Sequence, residues 1–347
     1  MNCLADFSPD ELEALLKSEF AQPAYRAGQL YANITKFNSF EEMSDLPLLL
    51  RAALKEKIAD RALGVEKTLV SADGTEKYLY RLNDGNIIEG AFMKQSYGNT
   101  LCVSTQVGCR MGCAFCASGI GGLVRNLTAG EILSQVLCVN RIHGASSERR
   151  AVTNVVLMGS GEPLDNYDEV AKFIRLLSSP RGLNVSERNI SLSTCGLVDN
   201  VKRLADDGFT VTLTISLHAS SDEYRRSIMP IANKYSINEI VDAAKYYFDK
   251  TGRRVIFEYT MIKGVNINHF DAKRLYELLK GFPCHVNLIP LNPVKEKNLK
   301  GCTREEAERF MKKLNGLGLS ATIRRAKGAD VGGACGQLRR SYVGKRD

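Results

Sequence analysis

From Leu101 onward the chain repeats one order: a short apolar run, a stretch with helical periodicity, then another apolar run. The runs fall at Leu101–Ser104, Val155–Met158, Ile190–Ser193, Val211–Ser216, Val255–Met261, Val286–Pro290 and Ala321–Ile323. They are too short for helices, and they read as strands buried on both faces. Thr128-x-x-Glu131, Ser236-x-x-Glu239 and Thr303-x-x-Glu306 open three of the intervening stretches. Such boxes satisfy the orphan N–H groups of a helix start. Repeated β-then-α order implies a parallel sheet with right-handed crossovers. Six or seven units fall short of the eight of a closed barrel. The expected α/β fold is therefore an incomplete (β/α) TIM-like barrel, with its site at the C-terminal ends of the strands.

The first part of the chain follows other rules. Ser8-Pro9-Asp10-Glu11 combines an N-cap, a first-turn proline and an acid three residues on, followed by Leu12, Leu15, Leu16 and Phe20. Helical patterning continues over Tyr25–Ile34 and Pro47–Ile58, with Ser39 capping a turn between them, so residues 1–62 are expected to form a small helical domain. Between 63 and 95 the period changes to two, and Asp73-Gly74 and Asp84-Gly85 punctuate the runs as hairpin turns do. This β-meander is read as a linker. Residues 96–330 are assigned to the barrel and 331–347 to a C-terminal segment.

The N-terminus lacks a basic stretch followed by an apolar core, and no apolar run is long enough to span a bilayer, so a cytoplasmic, membrane-free enzyme is expected. A net charge of +8 favours a polyanionic partner, with basic residues gathered at Arg324-Arg325-Ala326-Lys327, Arg339-Arg340 and Lys345-Arg346. Ten cysteines in such a chain point to metal or redox chemistry at some of them.

The first barrel strand is expected to run directly into Cys109-Arg110-Met111-Gly112-Cys113-Ala114-Phe115-Cys116. Three thiolates this close on one loop can wrap a compact soft metal centre. A tetrahedral zinc site would need a fourth ligand nearby, and the remaining alternative is three unligated thiols. Three ligands leave one iron of a [4Fe–4S] cluster open, which is the vacancy that S-adenosylmethionine (SAM) needs for chelation. The CxxxCxxC spacing after a first strand resembles the radical SAM superfamily. Further on, Gly159-Ser160-Gly161-Glu162-Pro163-Leu164 follows a buried strand, and Ser193, Ser216-Leu217-His218 and Asn292 follow others. In a barrel these positions converge on one face. Gly161, Glu162, Ser193, Ser216, Leu217, His218 and Asn292 are the candidate SAM contacts. Taken singly, each is also compatible with a turn, a cap or a core residue.

With the Glu187-Arg188-Asn189-Ile190-Ser191-Leu192-Ser193-Thr194 strand and the closing Ala334-Cys335-Gly336-Gln337-Leu338, nearly the whole chain resembles the RlmN/Cfr family of radical SAM RNA methyltransferases, and within it the RlmN type. Ser160 departs from the pattern, where the family commonly has methionine. The resemblance implies one [4Fe–4S] cluster with an open iron on Cys109, Cys113 and Cys116, two SAM per turnover, and an electron donor such as flavodoxin or ferredoxin. It further implies that Cys335 is S-methylated and then carries the methylene radical, that Glu89 accepts a proton, and that Cys102 resolves the RNA adduct through a transient disulfide. The implied substrates are an adenine, methylated at C2, in the peptidyl-transferase region of 23S rRNA and the adenine 3′ of the anticodon in some tRNAs; the protein is expected to act as a monomer. Methylation of the rRNA adenine at C8, as in the Cfr type, is the nearest rival. A radical SAM protein activase and a non-catalytic iron–sulfur RNA-binding protein are more distant ones. Cys3, Cys138, Cys195, Cys284 and Cys302 fit none of these roles and are read as structural.

Overall fold

The computed structural model describes residues 2–145, 149–291, 299–325, 327–331 and 342. Asn292 and Cys335 lie outside the described residues.

The helical start forms as its caps dictate. In α1 (Pro9–Phe20) Ser8 and Glu11 cap each other reciprocally, and Leu12 and Leu16 turn inward against α2 (Tyr25–Thr35) and α3 (Leu48–Lys57). Ser39 opens a 3-10 turn over Phe40–Glu42. This unit docks on α4 (Ala129–Ile142) at a helix start: Asp6 Oδ1 accepts a hydrogen bond from Gly130 N (2.7 Å). A carboxylate is favoured there by the unpaired N–H groups of the first turn. A Cβ on Gly130 would stand 2.5 Å from Asp6 N and 2.6 Å from Cys3 Sγ, so the close approach requires glycine.

Strands β1 (Leu63–Val70), β2 (Glu76–Leu82), β3 (Ile87–Gln95) and β4 (Gly98–Cys102) form an antiparallel meander, with Gly74 and Gly85 at positive φ in its turns. β4 then pairs in parallel with β7 (Asn154–Leu157). The parallel run continues through β8 (Ile190–Thr194), β9 (Thr212–Ser216), β10 (Val255–Met261), β11 (Cys284–Pro290) and β12 (Ala321–Ile323). Helices α5 (Tyr167–Ser178), α6 (Val198–Asp206), α7 (Asp222–Ile228), α8 (Ile237–Thr251), α9 (His269–Leu279) and α10 (Arg304–Gly316) lie in the connections. The boxes at Thr128, Ser236 and Thr303 all close as the sequence predicts. Meander and barrel thus share one ten-stranded sheet, ordered β1-β2-β3-β4-β7-β8-β9-β10-β11-β12.

The first barrel strand does not run directly into the cysteine motif. A two-stranded ribbon of β5 (Gln106–Gly108) and β6 (Leu123–Asn126) intervenes, because Val107 and its neighbours pair with the chain leaving the motif rather than extending β4. At the other end of the chain, Asp330 accepts from Ser71 Oγ and Ala72 N (3.0 Å) on the β1–β2 turn. Asp73 on that turn accepts from Gly328 N at 3.1 Å. Tyr342 hydrogen-bonds Glu66 and packs against Leu79 and Ile87 of the meander.

Candidate active site

The cysteine loop is fastened at its neck and along its side. Cys109 N donates to Gly122 O at 2.9 Å. Gly108, at φ +82°, lies so near that a Cβ would meet Gly122 O at 2.0 Å. On the side, Ala114 N donates to Ile228 O (2.8 Å), and Met111, Ala114 and Phe115 pack with Cys195, Ile228 and Met229. Burial pushes the Cys109 thiol up to about 12, and the neighbouring Cys116 adds to the rise. Burial raises Cys113 as well, helped by Cys116 and Cys109. Desolvated thiols raised in this way become thiolates when a cationic group compensates them. Soft donors with that demand fit an iron–sulfur cluster held by Cys109, Cys113 and Cys116. Among the described residues no three His, Cys, Asp or Glu side chains are grouped as ligands of a single metal ion.

The glycine-rich segment after β7 packs directly onto the chain between β4 and β5. A Cβ on Gly159 would stand 2.7 Å from Val103 O, and one on Gly161, at φ +110°, 2.7 Å from Gln106 N. Ser160, the departure noted above, is buried; its carbonyl accepts from Thr105 N and Gln106 N, and its hydroxyl donates to Gly108 O at 3.3 Å. Glu162 is buried, with Oε1 accepting from Leu164 N (3.1 Å) and Oε2 from Cys195 N (2.7 Å). Burial raises its pKa against the downward pull of those bonds. Gln106 Oε1 in turn accepts from Glu162 N at 2.8 Å. Cys195, read as structural, is buried beside the cysteine loop.

At the strand ends, Ser193 (β8) and Ser216 (β9) are brought together on one carboxylate. Both hydroxyls donate to Glu258 Oε2 on β10, at 3.2 and 3.4 Å, while Arg324 Nη1 reaches Oε1 at 3.2 Å. The main chain of Glu258 also serves: its carbonyl accepts from Leu217 N (3.0 Å) and His218 N (3.1 Å). His218 is buried in the left-handed region at φ +57°, an arrangement that costs energy and gathers at functional sites. Its Nδ1 accepts from Thr260 N at 3.0 Å, which leaves the ring proton on Nε2. Burial, then Arg225, pulls its pKa down to about 3. Phe115 of the cysteine loop meets this ring edge-on at 4.7 Å. Arg225 lies fully buried beneath, donating to the carbonyls of Cys195 (2.7 Å), Leu217 (3.1 Å) and Ser216 (3.3 Å).

Sequence reasoning missed Glu258, Arg225 and Gln106. A single acid inside the apolar run Val255–Met261 was the available signal for Glu258. Arg225, one of two adjacent arginines on a short polar helix, gave none.

Glu89 and Cys102 sit on the meander side. β3–β4 register pairs Ala91 with Cys102, and β2–β3 register pairs Lys77 with Ala91 and Leu79 with Glu89. Side chains paired across a ladder share a face, as do those two apart. Lys77, Glu89 and Cys102 therefore share one face, together with the Leu79 and Ile87 that Tyr342 covers. Lys77 Nζ stands 3.3 Å from Glu89 Oε1, each side chain 3% exposed. Ser104 Oγ donates to Glu89 O (2.7 Å) and accepts from Ser160 N (2.9 Å), tying this face to the glycine-rich segment.

The Radical SAM superfamily profile matches residues 103–275. A Clostridium perfringens protein named "Probable dual-specificity RNA methyltransferase RlmN" is 52% identical over 350 aligned residues, spanning 99% of this chain and 98% of its own. A Clostridium botulinum protein of the same name is 49% identical, with 99% and 98% covered. The crystal structure of a radical SAM methyltransferase from Sphaerobacter thermophilus superposes with a TM-score of 0.93 at 40% identity, covering 97% of this chain and 99% of that one. With half of all residues shared along the full length, and the cysteine loop inside the matched core, the chain belongs to the RlmN family of dual-specificity RNA methyltransferases within the radical SAM superfamily.

Proposed function

We propose that this radical SAM RNA methyltransferase methylates C2 of one adenine in 23S rRNA, near the peptidyl-transferase centre, and of the adenine 3′ of the anticodon in some tRNAs. The observation that carries the reading is the shared face of Glu89 and Cys102. The described residues on either side of Cys335 are tied to the same meander, Asp330 at its first turn and Tyr342 over Leu79 and Ile87. A thiol carrier, a resolving thiol and a base are the three groups that methyl delivery to an electron-poor ring carbon requires.

Cys109, Cys113 and Cys116 would hold the cluster, and the strand ends at Ser193, Ser216, Leu217, His218 and Asn292, with Gly161 and Glu162, would hold SAM. When bound, this pair supplies one-electron cleavage chemistry that no side chain can. The chain's own residues do the rest. Cys335 carries the one-carbon unit to the base. Glu89, held by Lys77 in the buried ion pair, takes the C2 proton. Cys102 attacks the sulfur of Cys335, so that an S–S bond forms as the S–C bond to the product breaks. Neutral His218 packs under the loop and adds no positive charge beside it. An electron donor such as flavodoxin or ferredoxin completes the cycle, and the chain works as a monomer.

The test is anaerobic turnover with methyl-labelled SAM and RNA. Wild type yields 2-methyladenosine, Cys335→Ala yields none, and Cys102→Ala accumulates an RNA–protein crosslink. Methylation at C8, or unimpaired turnover by Cys335→Ala, would refute the assignment.

A further inference from the structure

An ionised carboxylate can only accept hydrogen bonds. Glu258 is buried, and Arg324, whose guanidinium can only donate, sits on Oε1 at 3.2 Å, so that oxygen accepts. Both serine hydroxyls sit on Oε2, so each must point its hydrogen at Glu258. A serine has one hydrogen to give. What Ser193 and Ser216 then turn toward the strand-end site are lone pairs. The same residue holds Leu217 and His218 by their N–H groups, so side chain and main chain of Glu258 organise the whole Ser216-Leu217-His218 corner.

We propose that Glu258 is a positioning residue that sets the hydrogen-bond polarity of the SAM subsite. It makes Ser193 and Ser216 obligate acceptors, so the subsite recognises donor groups of SAM and not its carboxylate. The donors that SAM offers are its ribose hydroxyls, its ammonium and the amino group of its adenine. This rests on the reading that SAM binds at these strand ends. Arg324 leads from β12 into the chain that Asp330 fastens to the meander, so the same carboxylate also registers the start of the C-terminal segment.

The experiment measures binding of SAM, of a 2′,3′-dideoxyribose analogue, of an analogue lacking the α-amino group and of one lacking the adenine amino group, to cluster-loaded full-length protein without RNA. Wild type, Glu258→Gln and Ser193→Ala/Ser216→Ala are compared by calorimetry and by the perturbation of the reduced cluster's spin-resonance spectrum. Glutamine can donate to the serines and so frees their hydrogens. Wild type is expected to disfavour one analogue by about 10- to 100-fold, the range for losing one or two buried hydrogen bonds. In both variants that discrimination falls to within about threefold, and which analogue it concerns identifies the donor. Iron content and visible absorbance equal to wild type show that the site is assembled; if Glu258→Gln loads no cluster, the double serine variant decides. Discrimination unchanged in the variants overturns the proposal. SAM affinity itself unchanged in the double serine variant overturns instead the placement of SAM at these strand ends.

Discussion

Lys77→Met tests whether the Lys77–Glu89 contact is a buried ion pair holding a reactive carboxylate. The two side chains approach to 3.3 Å and each is 3% exposed, so water cannot replace a lost partner. Removing one member of such a pair costs about 3–5 kcal/mol, because the other charge loses an opposite charge 3.3 Å away in a poorly solvated place. Replacing both by apolar groups of similar volume removes the charge and the debt together. Methionine keeps most of the lysine stem, so packing changes little. The expected pattern is a loss of about 3–5 kcal/mol for Lys77→Met and for Glu89→Met alone, and a smaller loss for the double variant than for either single one. Urea unfolding followed by circular dichroism reads this from the midpoint, with the slope confirming an unchanged unfolding transition. Additive losses, or a single-variant loss below about 1 kcal/mol, would show that the two groups are solvated or uncoupled, and the argument that Lys77 holds Glu89 as a base would fall with them.

Gly108→Ala places a methyl group 2.0 Å from Gly122 O at a positive φ. The ribbon must open, and iron per chain should fall by more than half, whereas Gly121→Ala, with no atom within 4 Å of its Cβ, should load normally. For His218 the folded value near 3 lies below the unfolded value near 6.5, so its contribution to stability is complete above pH 6.5 and is lost as pH falls toward 3. Between pH 6.5 and pH 5 wild type should lose about 1.6 kcal/mol more than His218→Gln, the slope rising from half to nearly all of about 1.4 kcal/mol per pH unit; equal losses would show that the ring is not buried neutral.

Much of the barrel could be read from the chain because each strand there is buried on both faces and each helix announces its start. All seven apolar runs became strands, several with the expected last residue, as at Ser216, Met261 and Pro290. The ribbon of β5 and β6 was not legible. Its strands span only Gln106–Gly108 and Leu123–Asn126, and long-range pairing, not local pattern, creates them. The same holds for the meander: its turns were visible in Asp73-Gly74 and Asp84-Gly85, but that β3 lies against β4 is a matter of register. Among the site residues, those carried by motifs could be found. Glu258 and Arg225 could not, since a buried charge is explained only by its partners, and those come from β8, β9 and the end of the chain. The basic run at Arg324 shows the converse. It reads as a phosphate-binding tail, yet Arg324 and Lys327 face Glu258 and Asp73.

The pairing of β3 with β4 also decides what shape the sheet can never take. β4 has two hydrogen-bonding edges; β7 fills one and β3 the other, so β12 has no edge of β4 left to close upon. The sheet therefore ends in two separate edges, β1 and β12, and the chain leaving β12 crosses between them to reach the β1–β2 turn through Gly328–Asp73 and Asp330–Ala72.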